Sequence, residues 1–366
     1  MRARSMDSFE TFPEQPEAKR LLRASLADGP AHAYLFHGPR GVGKRAAALA
    51  FAAELIGEPD RVLRHAHPDV YALEPVGDQI RIGDIRTLHR DLHMRPFEAQ
   101  RRVYLLQSAD TMNEDAADAL LKDLEEPPPY AVLVLVADEL GPLPETIRSR
   151  CQHVPFRRLS ERAVREEIQS REPERAPTKV TALARVAGGR LDRVDRLLDP
   201  ASSKRRDALL ELARDVYRDS DFQPAEATAR ILEAAAECGA DARTAAEVEL
   251  ERLDLTQRDA DQRLRRAQRG AEREELLASL EELAAWYRDL VVVATGAQSA
   301  AIHSDRLAEL GEDATLERLA GAERACEVVR QVWRELEEFN LNPELALEAL
   351  FVRLRRELGA NLVYES

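Results

Sequence analysis

The stretch AYLFHGPRGVGK, residues 33–44, decides the fold class of this chain. It joins a short apolar run to a glycine-rich loop with the pattern G-x-x-x-x-G-K, and the Ala-rich residues 45–55 that follow favour a helix. In that context, backbone N–H groups and the first turn of the helix cradle phosphate, and the lysine reaches the outer phosphates. The sequence therefore predicts a phosphate loop between a strand and a helix. The residues expected to hold a nucleotide are Gly38, Gly41, Gly43 and Lys44.

The residues around this loop, up to residue 157, alternate apolar runs with helical patterns. The apolar runs at 70–73, 103–107 and 131–137 favour buried strands, and helical spacing is found at 82–92 and after Asn113. Such alternation is typical of a parallel sheet with crossover helices, because parallel strands need long connections. The sequence predicts an α/β domain with a P-loop-type parallel sheet over residues 1–157.

After Phe156 the sequence shows almost only helical patterns. Residues 158–200 are predicted to form a small helical domain, and residues 201–366 a larger helical domain whose apolar side chains keep helical spacing. The larger domain contains the charge-dense stretch 258–275, for which two interpretations stay open: a solvated helical arm or a surface that touches DNA. The whole chain is therefore expected to combine an α/β part with an all-α part.

The composition narrows the class of protein. The 366 residues carry a formal net charge of −14, which argues against a free-standing nucleic-acid-binding protein because such proteins present a basic surface. Cys151, Cys238 and Cys326 share no metal-ligand spacing, which indicates a reducing compartment and no disulfide framework. No apolar run approaches the roughly 20 residues of a membrane helix, and the first residues do not resemble a signal peptide. We therefore expect a cytoplasmic protein that contacts no membrane.

The metal-binding half of the phosphate site is missing from the sequence. Arg45 stands where a Ser or Thr hydroxyl would hold Mg²⁺, and the run at 103–107 leads into Gln107-Ser108, where a carboxylate would complete the site. This pattern predicts the architecture of an ATPase without its chemistry, and it leaves open whether ATP or ADP occupies the loop. The alternative is an active ATPase in which Asp110 or Glu114 supplies the missing carboxylate.

Four motifs resemble bacterial clamp-loader subunits of the AAA+ family, which belong to the DNA polymerase III holoenzyme. They are HAYLFHGP at 32–39, HPD at 67–69, ALLKDLEEPP at 119–128 and the triplet Ser149-Arg150-Cys151. WYRDL at 286–290 and NPELALE at 342–348 are similar to the helical collar of the same family. The resemblance implies an AAA+ domain, a small helical lid and a C-terminal collar through which the subunits join in a ring.

Within this family, the chain departs from the ATP-hydrolysing motor subunits, called gamma and tau. Motor subunits keep the Ser or Thr after the lysine, and they carry a sensor threonine where this chain has Ala137 or Asp138. They also place a phosphate-sensing arginine near Leu191, one residue from Arg190 in this chain. The resemblance therefore implies a stator without ATPase activity of its own. Its motif Ser149, Arg150 and Cys151 would supply Arg150 as an arginine finger to the ATP site of a neighbouring motor subunit.

The implied partners are the motor subunits and a delta subunit, and, through the assembled complex, the sliding clamp and primed DNA. Many family members carry a four-cysteine zinc module after the P-loop helix, but residues 54–67 contain no cysteine, and His65 and His67 alone cannot form a tetrahedral site. We therefore expect no zinc, no other metal and no required cofactor. The competing hypotheses are an ATP-hydrolysing motor subunit, a scaffold in which Arg150 has no role, and a free-standing DNA-binding protein.

Overall fold

The computed structural model of the protein describes residues 8–75, 79–250, 257–339 and 341–359. These residues form two compact units. The first takes the described residues up to Pro173 together with Gly189–Arg193, and the second takes Glu174–Gly188 with the described residues from Val194 onward. The division into three domains at residues 157 and 200 stays a prediction.

The first unit is built on one sheet of five parallel strands in the order β2-β3-β4-β1-β5. The strands are β1 (Ala33–His37), β2 (Val70–Leu73), β3 (Arg102–Leu106), β4 (Ala131–Ala137) and β5 (Gln152–Pro155). The two central strands, β1 and β4, pair in the register Leu35 with Leu135. Every residue of β4 is buried, as expected for a strand covered on both faces. The predicted parallel sheet of an α/β domain is therefore confirmed.

Helices cover both faces of this sheet because successive side chains of a strand point to opposite sides. On one face, Tyr34 and Phe36 pack in a core with α1 and α2. On the other, Ala33 and Leu35 pack in a core with α4 and α5. The helices of this unit are α1 (Pro16–Asp28), α2 (Lys44–Ile56), α3 (Pro59–Leu63), α4 (Ile82–Leu92), α5 (Glu114–Glu125), α6 (Glu145–Arg148) and α7 (Glu161–Arg171).

Helix α5 begins and ends as its sequence predicts. The Asn113 side chain caps it by accepting a hydrogen bond from the backbone N–H of Ala116 at 3.1 Å. Its buried residues include Ala116, Leu120 and Leu124, which share one helical face. Three prolines, 127–129, follow the helix and cannot continue it. The motif ALLKDLEEPP thus fixes the end of a helix that leads into β4.

The second unit is all-helical, as predicted for the C-terminal part of the chain. Its largest core is centred on Trp286 and Tyr287 and takes in Leu276, Leu280 and Leu283, which keep the predicted helical spacing. The charge-dense stretch 258–275 is helical and lies within α12. The helices are α8 (Pro177–Ala187), α9 (Leu191–Leu198), whose first turn belongs to the first unit, α10 (Pro200–Arg218), α11 (Pro224–Leu250), α12 (Gln257–Ala294), α13 (Leu307–Asp313), α14 (Leu316–Glu338) and α15 (Pro343–Leu358).

A buried polar network ties α12 to α10 and to the segment before α13. His303 is fully buried, and its Nδ1 and Nε2 lie 2.9 Å from Asp289 Oδ2 and 3.2 Å from Glu282 Oε1. Arg206 Nε lies 2.5 Å from the same Glu282 oxygen, and Arg206 Nη1 lies 2.8 Å from Asp305 Oδ2. Burial alone would lower the pKa of His303, but hydrogen bonds with Asp289 and Glu282 outweigh it and hold the pKa above its usual 6.5.

None of the helices in the described part of the chain combines the length and the apolar character that crossing a bilayer would require.

Candidate functional site

The phosphate loop lies between β1 and α2, as the sequence predicts, and its shape depends on glycine. Gly38 and Gly41 have φ values of 140° and 72°, a region in which residues with a Cβ are strained. A Cβ on Gly38 would lie 2.2 Å from the carbonyl oxygen of Phe156. Gly43 precedes the first residue of α2, which is Lys44. The four predicted nucleotide-binding residues are thus brought together in one loop.

The Lys44 side chain is buried and contacts groups of its own chain. The side chain is only 4% exposed, and its Nζ donates hydrogen bonds to the carbonyl oxygens of Gly38 and Pro39 at 2.5 and 2.6 Å. The same Nζ lies 2.7 Å from Oδ1 of Asp138, the residue that directly follows β4. A carboxylate of the same chain therefore neutralises the charge that would otherwise be offered to a phosphate.

Asp110 supports this arrangement. Its Oδ2 accepts hydrogen bonds from the backbone N–H groups of Asp138 and Glu139, both at 2.9 Å. Burial raises the pKa of Asp110 and outweighs the opposing effect of these hydrogen bonds. Asp110 thus fixes the loop after β4 that presents Asp138 to Lys44. The carboxyl group is engaged in holding backbone, which argues against its use as a magnesium ligand.

A second carboxylate, that of Asp192, lies against the middle of the phosphate loop. The Leu191 N–H donates to the carbonyl oxygen of Gly41 at 2.6 Å, and a Cβ on Gly41 would lie 1.8 Å from Asp192 Oδ1. Burial alone would raise the pKa of Asp192, but Arg190 at 2.6 Å and Arg40 at 3.5 Å outweigh it and keep the pKa below its usual value. The ionised carboxylate of Asp192 therefore lies directly against Gly41 of the phosphate loop.

The position normally given to a magnesium-binding hydroxyl is taken by an ion pair. Arg45, near the start of α2, pairs with Glu74, which follows β2. Gln107, directly after β3, is buried and brings an amide where a carboxylate would complete a metal site. A cationic group and an amide thus stand at the two sequence positions where Mg²⁺ needs oxygen anions or hydroxyls.

Arg150 lies at the surface of the first unit, just after α6. Its side chain is 36% exposed, and Nη2 lies 2.6 Å from Oε1 of Glu125, the last residue of α5. Nη1 donates to the carbonyl oxygen of Thr146 at 2.9 Å. The flanking Ser149 hydroxyl donates to the same carbonyl at 3.2 Å. Among the described residues, the side chain that pairs with Arg150 is that of Glu125, which is half exposed.

Cys151 completes the triplet as a packing residue. The thiol is buried in the core that lies between the sheet and α5. Burial raises its pKa to about 12, so the thiolate is not formed at neutral pH. The triplet thus combines a hydroxyl that fixes the turn, a surface arginine and an inert thiol.

These features define the class of protein. A parallel sheet in the order β2-β3-β4-β1-β5, with a phosphate loop after β1, is the α/β fold of the AAA+ type. Residues 14–160 match the sequence model of the family described as "DNA polymerase III, delta subunit".

Individual relatives agree with this class. The chain is 34% identical over 167 residues to "DNA polymerase III subunit delta'" of Bacillus subtilis, covering 42% of this chain and 51% of that protein. It is 40% identical over 136 residues to the subunit of the same name from Pseudomonas aeruginosa, covering 33% and 42%. The chain thus spans about half the length of these relatives, or less. The resemblance to delta-prime subunits of DNA polymerase III, predicted from the sequence, is confirmed over this N-terminal part.

Two further proteins are similar. The tau subunit of DNA polymerase III from Bacillus subtilis is 31% identical over 159 residues, covering 40% of this chain and 28% of that protein. Among solved structures, a gamma subunit-related protein from Thermotoga maritima aligns with a TM-score of 0.45 at 18% identity, covering 93% of this chain and 99% of that chain.

Sequence reasoning missed the residues that fill the phosphate loop and hold Arg150. Asp138 was named only as a sensor position, and Asp192, Glu74 and Glu125 were not predicted to have any role at the site. Asp138 and Asp192 are distant from Lys44 in sequence, so no local spacing signals their contact. Glu125 carried a signal, because it lies within the motif ALLKDLEEPP.

Proposed function

We propose that this chain is a delta-prime-type stator of a bacterial clamp loader, without ATPase activity of its own. It supplies Arg150 to the ATP site of a neighbouring gamma or tau motor subunit while the sliding clamp is loaded onto primed DNA in the cytoplasm. One observation carries the proposal. In the phosphate loop, Asp138 pairs with Lys44 and Asp192 lies against Gly41, whereas the arginine expected to act on a neighbour lies at the surface.

The lack of hydrolysis follows from the chemistry of the loop. Phosphoryl transfer needs a metal ion that bridges the outer phosphates and a lysine that neutralises their charge. Here Arg45 and Gln107 stand at the metal-binding positions, and Lys44 is bound to Asp138 at 2.7 Å. These contacts support a loop that keeps its fold and holds no nucleotide in this conformation.

Arg150 is suited to act in trans because it is easily released. Its pair with Glu125 is exposed on both sides, and such pairs contribute only about 0–1 kcal/mol. The guanidinium is planar and permanently charged, and it forms bidentate contacts with phosphate oxygens. An arginine finger of this kind accelerates hydrolysis by about 10³–10⁵-fold. The energy available at a phosphate thus far exceeds the energy that holds Arg150 to Glu125.

The partners follow from the same proposal. The second unit leaves apolar side chains of α15 exposed, among them Leu345 at 64% and Val352 at 57%. Because the two residues are seven positions apart, they lie on one face of the helix. This face supports assembly with the motor and delta subunits through the C-terminal helices. The clamp and primed DNA would be contacted through the assembled complex, since a net charge of −14 disfavours DNA binding by the chain alone.

The test is the DNA-stimulated ATPase of the reconstituted clamp loader, with wild-type subunit compared with Arg150→Ala. We expect the hydrolysis rate at the adjacent motor site to fall by about 10³-fold or more. Arg157→Ala is the matched control, because Arg157 is an exposed arginine of the same unit and its loss should leave the rate unchanged.

The lone subunit distinguishes the competing hypotheses. A silent lone subunit with a large loss in the Arg150→Ala complex supports the stator. Mg²⁺-dependent hydrolysis by the lone subunit would instead support an ATP-hydrolysing motor of the gamma/tau type. An unchanged rate in the Arg150→Ala complex would support a scaffold in which Arg150 has no role.

A further inference from the structure

Two histidines and one carboxylate meet where α4 packs on α5. His89 is in the last turn of α4 and His93 is the residue that caps it, so both project from the same side of the helix. His89 Nδ1 lies 2.7 Å from Asp123 Oδ1, and His93 Nε2 lies 4.0 Å from the same oxygen. The two imidazole centroids are 4.7 Å apart. One donor atom from each of the three residues lies within 4.8 Å of the others.

Asp123 is a buried carboxylate with an incomplete set of partners. The residue is 2% exposed and lies on the inward face of α5. Its Oδ2 is buried and has no hydrogen-bond partner among the residues that the structure describes. His89 contacts only Oδ1 and is itself half exposed. A buried carboxylate is costly unless it is paired or coordinates a metal, and the contact of half-exposed His89 with Oδ1 compensates this one only in part.

The three donors suit a borderline divalent transition ion. Zn²⁺ binds imidazole nitrogen and carboxylate oxygen at about 2.0–2.2 Å, which in a tetrahedral arrangement places neighbouring donors roughly 3.3 Å apart. The distances from Asp123 Oδ1 to His89 and His93, 2.7 and 4.0 Å, lie on either side of that value. Binding one ion would therefore require both imidazoles to turn, and their half-exposed positions leave room for this. Because both histidines are half exposed, a further position is open to water.

The second cluster of His and acidic residues in the described part of the chain differs, because its carboxylates already have a cationic partner. Glu58, His67 and Glu98 also lie close together. However, Arg61 Nη1 lies 2.9 Å from Glu58 Oε2 and 2.6 Å from Glu98 Oε2. An arginine of the same chain therefore already neutralises both carboxylates. Asp123 differs, because histidines are its ionisable partners within the described residues.

We propose that His89, His93 and Asp123 form a site for one Zn²⁺ or a similar borderline divalent ion. The ion joins the C-terminal end of α4 to α5 through Oδ1 of Asp123 and neutralises the buried carboxylate. The expectation of no metal rested on the absence of cysteines and on His65 and His67. The proposed site lies elsewhere and depends on the fold, since Asp123 comes from a different helix.

The experiment is calorimetric titration of the untagged, chelator-treated full chain with Zn²⁺, followed by Co²⁺ absorption spectroscopy. We expect one equivalent of Zn²⁺ to bind. His93→Gln and Asp123→Asn should each weaken binding by at least about tenfold, the smallest loss usual when the surroundings of a metal are changed. Co²⁺ should give visible d–d absorption in wild type that is lost in His93→Gln and displaced by Zn²⁺.

His65→Gln is the matched control, because it removes a partly exposed histidine outside the cluster, and it should bind Zn²⁺ as wild type does. Circular dichroism of each variant checks that the fold is kept, and His93→Gln is the safer variant since His93 makes only a 4.0 Å contact with Asp123. The proposal is overturned if wild type takes up no stoichiometric Zn²⁺. It is equally overturned if folded His93→Gln and Asp123→Asn bind with wild-type affinity.

Discussion

At the scale of single residues, Lys44 shows that a phosphate loop can keep its shape while its lysine serves another partner. Gly38 and Gly41 hold the backbone, and Lys44 satisfies two carbonyls of the loop itself. A third partner is Asp138, whose backbone N–H is held by the Asp110 carboxylate. At Lys44, the Asp138 carboxylate thus takes the place of the phosphate that such a loop normally binds.

We expect that removing the two carboxylates would restore some affinity for nucleotide. In Asp138→Asn/Asp192→Asn, Lys44 loses its anionic partner and the loop loses the charge against Gly41. Hydrogen bonds to charged groups contribute about 1.5–3 kcal/mol, and half-exposed Asp138 lies at the low end, so ADP affinity should rise by about tenfold or more. Titration with fluorescent ADP measures this, and Glu139→Gln serves as the control. A double variant that binds no better than wild type contradicts this account of the loop.

The motif residues differ in how much of their role could be inferred from sequence. The phosphate loop and the surface position of Arg150 follow from motifs, and the structure has both. The role of Asp69 in the motif HPD could not be inferred. Its carboxylate accepts hydrogen bonds from the backbone N–H groups of Phe97, Glu98 and Ala99, nearly thirty residues away. Contacts of this kind are made by tertiary packing, and no local spacing encodes them.

At the scale of secondary-structure elements, apolar runs predicted the central strands well. β1 and β4 occupy 33–37 and 131–137, as predicted, because strands covered on both faces of a parallel sheet are almost continuously apolar. The edge strand β2 also lies where its apolar run predicts, at 70–73, although Leu73 is the one buried residue of the four. β5 (Gln152–Pro155) was not predicted. It is a short edge strand with exposed Gln152 and His153, and it exists because it pairs with β1. Its sequence carries no strand signal of its own.

The buried network around His303 makes the stability of the helical unit depend on pH. Because the pKa of His303 is held above 6.5, the native state binds a proton that the unfolded state releases. The stabilisation is complete below pH 6.5 and is lost as pH rises through the raised pKa. We expect the free energy of unfolding, measured with urea from pH 6 to pH 9, to fall with increasing pH.

His303→Gln identifies the group responsible for this dependence. The variant should be less stable at pH 6, because Asp289 and Glu282 would lose their protonated partner, and its stability should change less over the same pH range. His32→Gln, in the first unit, is the control and should keep the wild-type slope. A wild-type slope in His303→Gln would assign the pH dependence to another group.

At the scale of the whole molecule, the proposed assembly depends on surface that the chain leaves uncovered. Leu345, Ala349 and Val352 are exposed along one face of α15, whereas Leu347, Leu350 and Leu354 of the same helix are buried. The helix is thus apolar on two sides, and within the described part of the chain only one of them is packed. An apolar face of this kind is typical of a subunit interface.

We expect Leu345→Glu/Val352→Glu to block assembly without unfolding the chain. Both side chains are exposed, so the change should leave the free energy of unfolding nearly unaltered, as is usual for surface substitutions. Size-exclusion chromatography with the motor and delta subunits should show loss of the complex, and circular dichroism should show an unchanged helix content. Glu344→Ala, an exposed change on the same helix, should assemble normally. Normal assembly by the double variant would place the interface elsewhere.

The filled phosphate loop has a consequence for how this subunit responds to the energy state of the cell. Lys44 and Gly41 are engaged by Asp138 and Asp192, which are always present at fixed stoichiometry because they belong to the same chain. Under the proposed function, a change in the ratio of ATP to ADP would have no binding step through which to alter this loop. In the proposed assembly, the conformation of this subunit would therefore stay constant. The neighbouring motor subunit would move relative to a fixed Arg150 as it binds and hydrolyses ATP.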